Sequence, residues 1–228
     1  MRSPIILALD ADEISKAADW INATKDSIDI YKVGLEFFLK FGASGIAELR
    51  KNGDFEIFLD LKLHDIPNTV ANSVKSISQL KPKFLTVHAS GGREMVTAAA
   101  LADPSIAITA VTILTSLSDE ELGELGFASN AEQSAVALAK IAVTAGARAI
   151  VCSPFEVGAI RSAVGDGVTL ITPGVRPVGS AAGDQKRFMT PAQAIEAGAN
   201  YLVIGRPITG QPSLDTMADA AAAILKSI

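Results

Sequence analysis

The sequence predicts a single (β/α)8 TIM barrel of the α/β class. Three observations carry this. Short apolar runs rich in Ile, Val and Leu recur along the whole chain, as in parallel strands covered on both faces. Amphipathic stretches separate them. Polar residues collect at the C-terminal ends of the runs, where such barrels carry their sites. A doubly wound open sheet shares the same alternation and is the alternative. The 228 residues fit one domain, 1–228, without linker, low-complexity tract or sequence repeat.

Strands are expected at Ile5–Leu9, Ile28–Val33, Glu56–Asp60, Phe84–Val87, Ile106–Thr112, Ala149–Val151, Thr169–Ile171 and Tyr201–Ile204. Between them, Asp12–Thr24 opens on an acidic N-cap region, and Ser44–Asn52 stops at Gly53. Asn68–Leu80 follows Pro67, a residue suited to the first helical turn. Gly92–Leu101, Asn130–Ala145, Pro154–Ala163, Pro191–Ala197 and Ser213–Lys226 complete the helices.

Composition is 49% apolar and 20% charged, with a net charge of −5. That argues against a broad nucleic-acid surface, so any phosphate must be held locally. The single cysteine, Cys152, excludes an internal disulfide and fits a reducing, cytoplasmic setting. Within Ala149-Ile150-Val151-Cys152-Ser153 it reads as core filler. Two histidines and one cysteine form no metal-ligand spacing, so no metal is expected. The first strand starts almost at once, with no signal-peptide layout and no apolar run long enough to span a membrane.

The most informative stretch is Asp60-Leu61-Lys62-Leu63-His64-Asp65-Ile66-Pro67-Asn68-Thr69. On a regular strand Asp60 and Lys62 share one face. Asp65, just beyond the strand end, is expected to add a second carboxylate. A lysine between carboxylates is favoured as the cation, a poor nucleophile but a well-placed acid. Charges interrupting a buried strand need compensation, which points to a site rather than an exposed ion pair. Asp10, Lys32 and His88 end strands one, two and four, and Thr112, Thr115, Ser116 and Ser118 follow strand five. Each has an ordinary reading: Asp10 as a helix cap, Lys32 as a snorkelling side chain, His88 as a structural histidine, Ser118 as the N-cap of Asp119-Glu120-Glu121. Their gathering on one rim argues for function.

The last two units look built for phosphate. Pro173-Gly174-Val175-Arg176 follows strand seven and Gly205-Arg206-Pro207-Ile208 follows strand eight. Glycines admit an anion to backbone N–H groups, and arginine supplies a permanent forked charge. The small, glycine-rich Val178–Arg187 segment between them is expected to act as a lid.

These residues together carry a resemblance. Asp60-x-Lys62-x-x-Asp65-Ile66-Pro67-x-Thr69, with Leu9-Asp10, Tyr31-Lys32-Val33-Gly34, Pro173-Gly174-Val175-Arg176, Asp184-Gln185-x-Arg187 and Gly205-Arg206-Pro207-Ile208, closely resembles the orotidine 5′-phosphate decarboxylases from about residue 5 onward. Related magnesium-dependent sugar-phosphate decarboxylases share the D-x-K-x-x-D core. The Ile66-Pro67-x-Thr69 continuation and the Asp184-Gln185-x-Arg187 segment favour the orotidine enzymes. The resemblance implies a barrel of the ribulose-phosphate-binding type that converts orotidine 5′-monophosphate to UMP and CO2 without metal or organic cofactor. It implies Lys62 as proton donor to C6 in an alternating Lys32–Asp60–Lys62–Asp65 network. Asp65, Ile66 and Thr69 would enter the neighbouring subunit's site of a homodimer. Asp10, Lys32 and the neighbour's Thr69 would hold the ribose, and Ser118 the pyrimidine edge. Pro173 and Arg176 would contact substrate, and Gln185, Arg187, Gly205 and Arg206 would grip the phosphate. A phosphate-binding barrel without catalysis would keep the glycines and Arg206 but have no need of the Asp60–Lys62–Asp65 charges.

Overall fold

The structure, a computed structural model, describes residues 3–177 and 189–228. Eight parallel strands close on themselves in sequence order, β1 (Ile5–Ala8), β2 (Ile30–Gly34), β3 (Glu56–Leu63), β4 (Phe84–His88), β5 (Ala107–Val111), β6 (Ala149–Val151), β7 (Thr169–Pro173) and β8 (Tyr201–Ile204). Pairing of β1 with both β2 and β8 closes the barrel and excludes the open sheet. Around it lie α1 (Ile14–Thr24), α2 (Leu35–Leu49), α3 (Pro67–Ile77), α4 (Gly92–Ala102), α5 (Asp119–Glu124), α6 (Ala131–Thr144), α7 (Val157–Val164), α8 (Pro191–Glu196), α9 (Arg206–Thr209) and α10 (Leu214–Lys226). Among the described residues no helix is long and apolar enough to cross a membrane.

Two expectations need correction. Helix α2 starts at Leu35, with Gly42 at φ 57° breaking it into two arms, and only the second arm matches the expected Ser44–Asn52. Strand β3 does not stop at Asp60 but continues to Leu63 through an irregularity.

Side-chain alternation divides the interior in two. One set, including Leu7, Tyr31, Val33, Ile57, Leu59, Leu85 and Val87, packs outward against the helices. The other, Ile6, Ile30, Phe58, Phe84, Ala149 and Ile171, fills the lumen. Phe84 meets Phe58 and Tyr201 edge-on, with ring centroids 5.8 Å apart in both pairs. Two residues further along the same inward face of β2, β3 and β4 come Lys32, Asp60 and Thr86. The apolar floor thus sets the height at which polar groups enter the barrel.

One buried acid stands apart from that charged set, in the loop between β6 and α7. Glu156, 6% exposed, accepts a hydrogen bond from the Ser153 N–H at 3.1 Å at the entrance to α7. Burial raises its pKa to about 7, with a further push from Glu132. The folded state therefore holds this proton more tightly than the unfolded chain. Its contribution to stability is full below the unfolded pKa of about 4.5 and is lost as pH rises towards 7. Glu156→Gln keeps the acceptor and removes the titration. Denaturant midpoints should show the variant close to the unmodified protein at pH 5 and more stable at pH 8, by on the order of 2 kcal/mol. A difference that does not change with pH would refute this.

Candidate active site

The charged residues at the rim form a chain across three neighbouring strands. Asp10 follows β1, and its Oδ1 lies 3.3 Å from Lys32 Nζ on β2. Lys32 Nζ lies 3.7 Å from Asp60 Oδ2 on β3, and Asp60 Oδ1 accepts a hydrogen bond from Lys62 Nζ at 2.8 Å. The Lys32 and Asp60 side chains are 12% and 13% exposed, whereas Lys62 is 37% exposed and opens to the cavity. Burial alone would push the Asp60 carboxyl up. Lys32 and Lys62 outweigh that, helped by hydrogen bonds from Lys62 and Thr86, and hold it below the usual carboxylate value. Gly34 leaves room for this chain, because a Cβ there would sit 3.1 Å from Lys32 Nζ. Asp10 is therefore an ion-pair partner, not the cap of α1; Glu13 occupies that position.

Lys62 reaches this place by an unusual backbone. Its φ is +49°, a region that side-chain-bearing residues seldom adopt. Such a conformation costs on the order of 1–3 kcal/mol and persists where surrounding contacts enforce it. Pairing between β3 and β4 runs Phe58 to Phe84 and Leu59 to Leu85, then resumes at Leu63 to Val87. The alternation of a regular strand is therefore broken between Asp60 and Lys62; their charged ends meet through a bulge instead. Thr86, fully buried, sits opposite it. Its hydroxyl accepts the Lys62 backbone N–H at 2.7 Å and donates to Asp60 Oδ1 at 3.0 Å.

Asp65 does not join this cluster within one chain. It is exposed, and its Oδ1 accepts the Ile66 N–H at 2.7 Å. The bulge and the turn into α3 carry it past the strand end, so the expected second carboxylate beside Lys62 is absent from the chain's own site. Ile66 is 66% exposed, and Thr69, in the first turn of α3, is exposed too.

Lys32, Asp60 and Lys62 form one wall of a cavity of about 230 Å³. The other walls are mostly apolar, with Phe58, Val111, Ile113 and Leu114 among them, and Cys152 and Pro173 opposite. Burial, then the neighbouring Glu156, pushes the Cys152 thiol up to about 12, so it packs rather than reacts. His88 is half-buried, with its ring 5.4 Å from that of His64. Burial first, then His64 and Lys62, lowers its pKa and favours the neutral ring.

Ser118 caps α5: it accepts the Glu121 N–H, while Glu121 Oε2 accepts the Ser118 N–H at 2.8 Å. On β7 and β8, Pro173 pairs with Val203. Gly174 turns the chain at φ 79°, leading to the partly buried Arg176, whose N–H donates to the Met189 carbonyl at 3.0 Å. Gly205 precedes α9, a short helix that the sequence reading did not foresee, and Arg206 lies exposed at its start. Gln185 and Arg187 fall outside the described residues.

Sequence reasoning missed Thr86 and most of the apolar walls. The signal for Thr86 was its spacing: Phe84, Thr86 and His88 alternate along one face of β4.

Comparison with known proteins agrees with this geometry. The sequence profile of the orotidine 5′-phosphate decarboxylase / HUMPS family matches residues 3–221. An orotidine 5′-phosphate decarboxylase of Thermobifida fusca is 50% identical over 226 residues, covering 99% of this chain and 97% of its own. The crystal structure of orotidine 5′-phosphate decarboxylase from Lactobacillus acidophilus superposes with a TM-score of 0.84 at 35% identity, covering 98% of this chain and 99% of that one. An uncharacterized conserved protein from Geobacillus kaustophilus gives a TM-score of 0.81 at 28% identity, covering 97% and 100%. A closed barrel with an Asp–Lys–Asp–Lys chain on its rim, matched from residue 3 to residue 221, thus makes this chain a member of the orotidine 5′-phosphate decarboxylase / HUMPS family.

Proposed function

We propose that the chain decarboxylates orotidine 5′-monophosphate to UMP in the cytoplasm, with Lys62 as the proton donor. The carrying observation is the Lys62 ammonium held 2.8 Å from a nearly buried carboxylate at the mouth of a largely apolar cavity. Breaking the bond between C6 and the carboxylate leaves an electron pair in the ring plane, where no π-system can take it up. A fixed cation beside C6 stabilises that developing charge in a site that excludes much of the water. Lys62 then passes one proton to C6, CO2 departs, and the neutral amine regains a proton from solvent. The reaction asks for no metal or organic cofactor, because the ammonium supplies both charge and proton. Asp60 aligns Lys62 and stands near the departing carboxylate; Lys32 keeps Asp60 ionised and, with Asp10, serves the ribose.

The remaining assignments come from the family resemblance. Gly205, Arg206, Pro173 and Arg176 are assigned to the phosphate end, and so are Gln185 and Arg187, which lie outside the described residues. Ser118 is assigned to the pyrimidine edge. In this reading the protein works as a homodimer, with Asp65, Ile66 and Thr69 of each chain completing the other's site. Their exposure just beyond Lys62 supports it. The direct test is loss of orotidine 5′-monophosphate absorbance with purified protein. Turnover should persist in excess chelator; no turnover of orotidine 5′-monophosphate, with magnesium-dependent turnover of a sugar phosphate, would favour the metal-dependent chemistry instead.

Lys62→Ala should lower kcat by several orders of magnitude while leaving UMP binding largely intact. Retention of more than a few per cent of activity would place the proton donor elsewhere. Mixing inactive Asp60→Ala with inactive Asp65→Ala should restore activity. About half of randomly mixed dimers pair the two variants, and each such dimer has one intact site, so roughly a quarter of sites recover. Absence of recovery after verified subunit exchange would put both carboxylates in the same site of one chain. Arg206→Ala should lower kcat/KM for orotidine 5′-monophosphate about ten- to a hundredfold and change turnover of the unphosphorylated nucleoside little. Equal losses on the two substrates would remove Arg206 from the phosphate site.

A further inference from the structure

We infer that Thr86 is a positioning residue for the decarboxylation: one hydroxyl fixes both the backbone of Lys62 and the carboxylate of Asp60. The inference rests on Lys62 being the proton donor.

Between the pairs Leu59–Leu85 and Leu63–Val87, three residues of β3 face one residue of β4. Asp60, Leu61 and Lys62 stand opposite Thr86 alone. The ladder cannot be regular there, and the Lys62 N–H goes to the Thr86 side chain at 2.7 Å. A backbone N–H only donates, so Thr86 Oγ1 must accept, and its own single proton is free for one acceptor. That acceptor is Asp60 Oδ1 at 3.0 Å, the oxygen that also receives the Lys62 ammonium at 2.8 Å. The result is a closed loop of contacts: Lys62 backbone to Thr86, Thr86 to Asp60, Asp60 to the Lys62 side chain.

The loop explains how Lys62 is kept at φ +49°. A left-handed residue at a bulge is free to relax unless its N–H has a fixed partner. Thr86 is such a partner, because it is fully buried and its β-branched side chain has few rotamers. Its backbone lies in the middle of β4, in register with Thr109 of β5. Thr86 therefore passes the rigidity of the barrel wall to the reacting groups without reaching the substrate itself. Small displacements of a reacting group weigh heavily on the chemical step.

Three variants test this. Thr86→Val keeps the shape and deletes the hydroxyl. Thr86→Ser keeps the hydroxyl and deletes the methyl. Thr86→Cys keeps a side chain of serine's shape with a weak hydrogen-bonding group, and stands in for valine if Thr86→Val does not fold. With orotidine 5′-monophosphate as substrate, valine or cysteine should lower kcat ten- to a hundredfold, with KM and UMP affinity within about threefold of the unmodified protein. Serine should stay within about threefold in kcat. A hydroxyl-free variant that is folded and within twofold in kcat overturns the inference. So does a rise in KM at constant kcat, which would mean a binding contact, or a serine variant as impaired as valine, which would mean packing by the methyl. Lys62→Ala assayed in parallel separates the two readings. An inactive Lys62→Ala beside a fully active Thr86→Val defeats the Thr86 inference alone, and an active Lys62→Ala defeats both.

Discussion

The site depends on one interaction: the Asp60 carboxylate, nearly buried at the rim of the barrel, held between the ammonium groups of Lys32 and Lys62. An isolated buried carboxylate costs several kcal/mol and would take up a proton instead. Two lysines from neighbouring strands and a threonine hydroxyl keep it ionised. Removing Asp60 would take from both ammonium groups the carboxylate between them, so the arrangement hinges on that one carboxylate rather than on a sum of weak contacts. That explains why charges interrupt strands that are otherwise apolar. It also explains why an exposed ion pair such as Lys51–Glu48, with side chains 70% and 52% exposed, carries no comparable weight.

The lumen sets where those charges can go. Ile30, Phe58 and Phe84 form a dry layer below the rim, and each strand's next inward residue rises above it. On β2 that residue is Lys32, on β3 Asp60 and on β4 Thr86. A regular β3 would carry Lys62 one further pleat up the same face. The bulge instead bends Lys62 back towards Asp60 while Leu61 remains buried. The same departure carries the chain outward into Asp65 and Ile66, and Pro67 then starts α3. One local irregularity therefore produces both the Asp60–Lys62 contact and the exposure of Asp65.

Much of this was legible in the sequence because it follows from period-two patterning. Eight apolar runs with polar C-terminal ends give the barrel, and Asp10, Lys32, Asp60 and Lys62 fall at those ends without knowledge of contacts. What was not legible depends on departures from regularity. The sequence does not mark the bulge, since nothing about Lys62 advertises a left-handed backbone, a conformation more at home with glycine. The expected Asp65 partnership failed within one chain for the same reason: proximity was counted along an ideal strand. The first arm of α2 was missed because Leu35–Phe41 is too apolar to show a polar face. Ser118 is legible as a cap from its acidic followers, and the capping box with Glu121 follows that local rule.

Closure of the barrel gives the site its order. Because β8 pairs with β1, Gly205 lies beside Asp10, close enough that a Cβ on the glycine would stand 3.9 Å from Asp10 Oδ2. Asp10 reaches Lys32, Lys32 reaches Asp60, and Asp60 reaches Lys62. Along the rim from β8 to β3 the chain thus presents a glycine–arginine loop, then an acid and a lysine, then a carboxylate–ammonium pair. In the proposed reaction the substrate has the same sequence of parts: phosphate, ribose and the carbon that loses CO2. In that reading, a ligand held by its phosphate at the Gly205–Arg206 end brings its reacting carbon towards Lys62. An open sheet would separate β8 from β1 and break the series at its first step. The closed barrel is therefore what joins contributions from four separate strands into one continuous track, along which, in the proposed reaction, binding energy gained at the phosphate is spent on alignment at the far end.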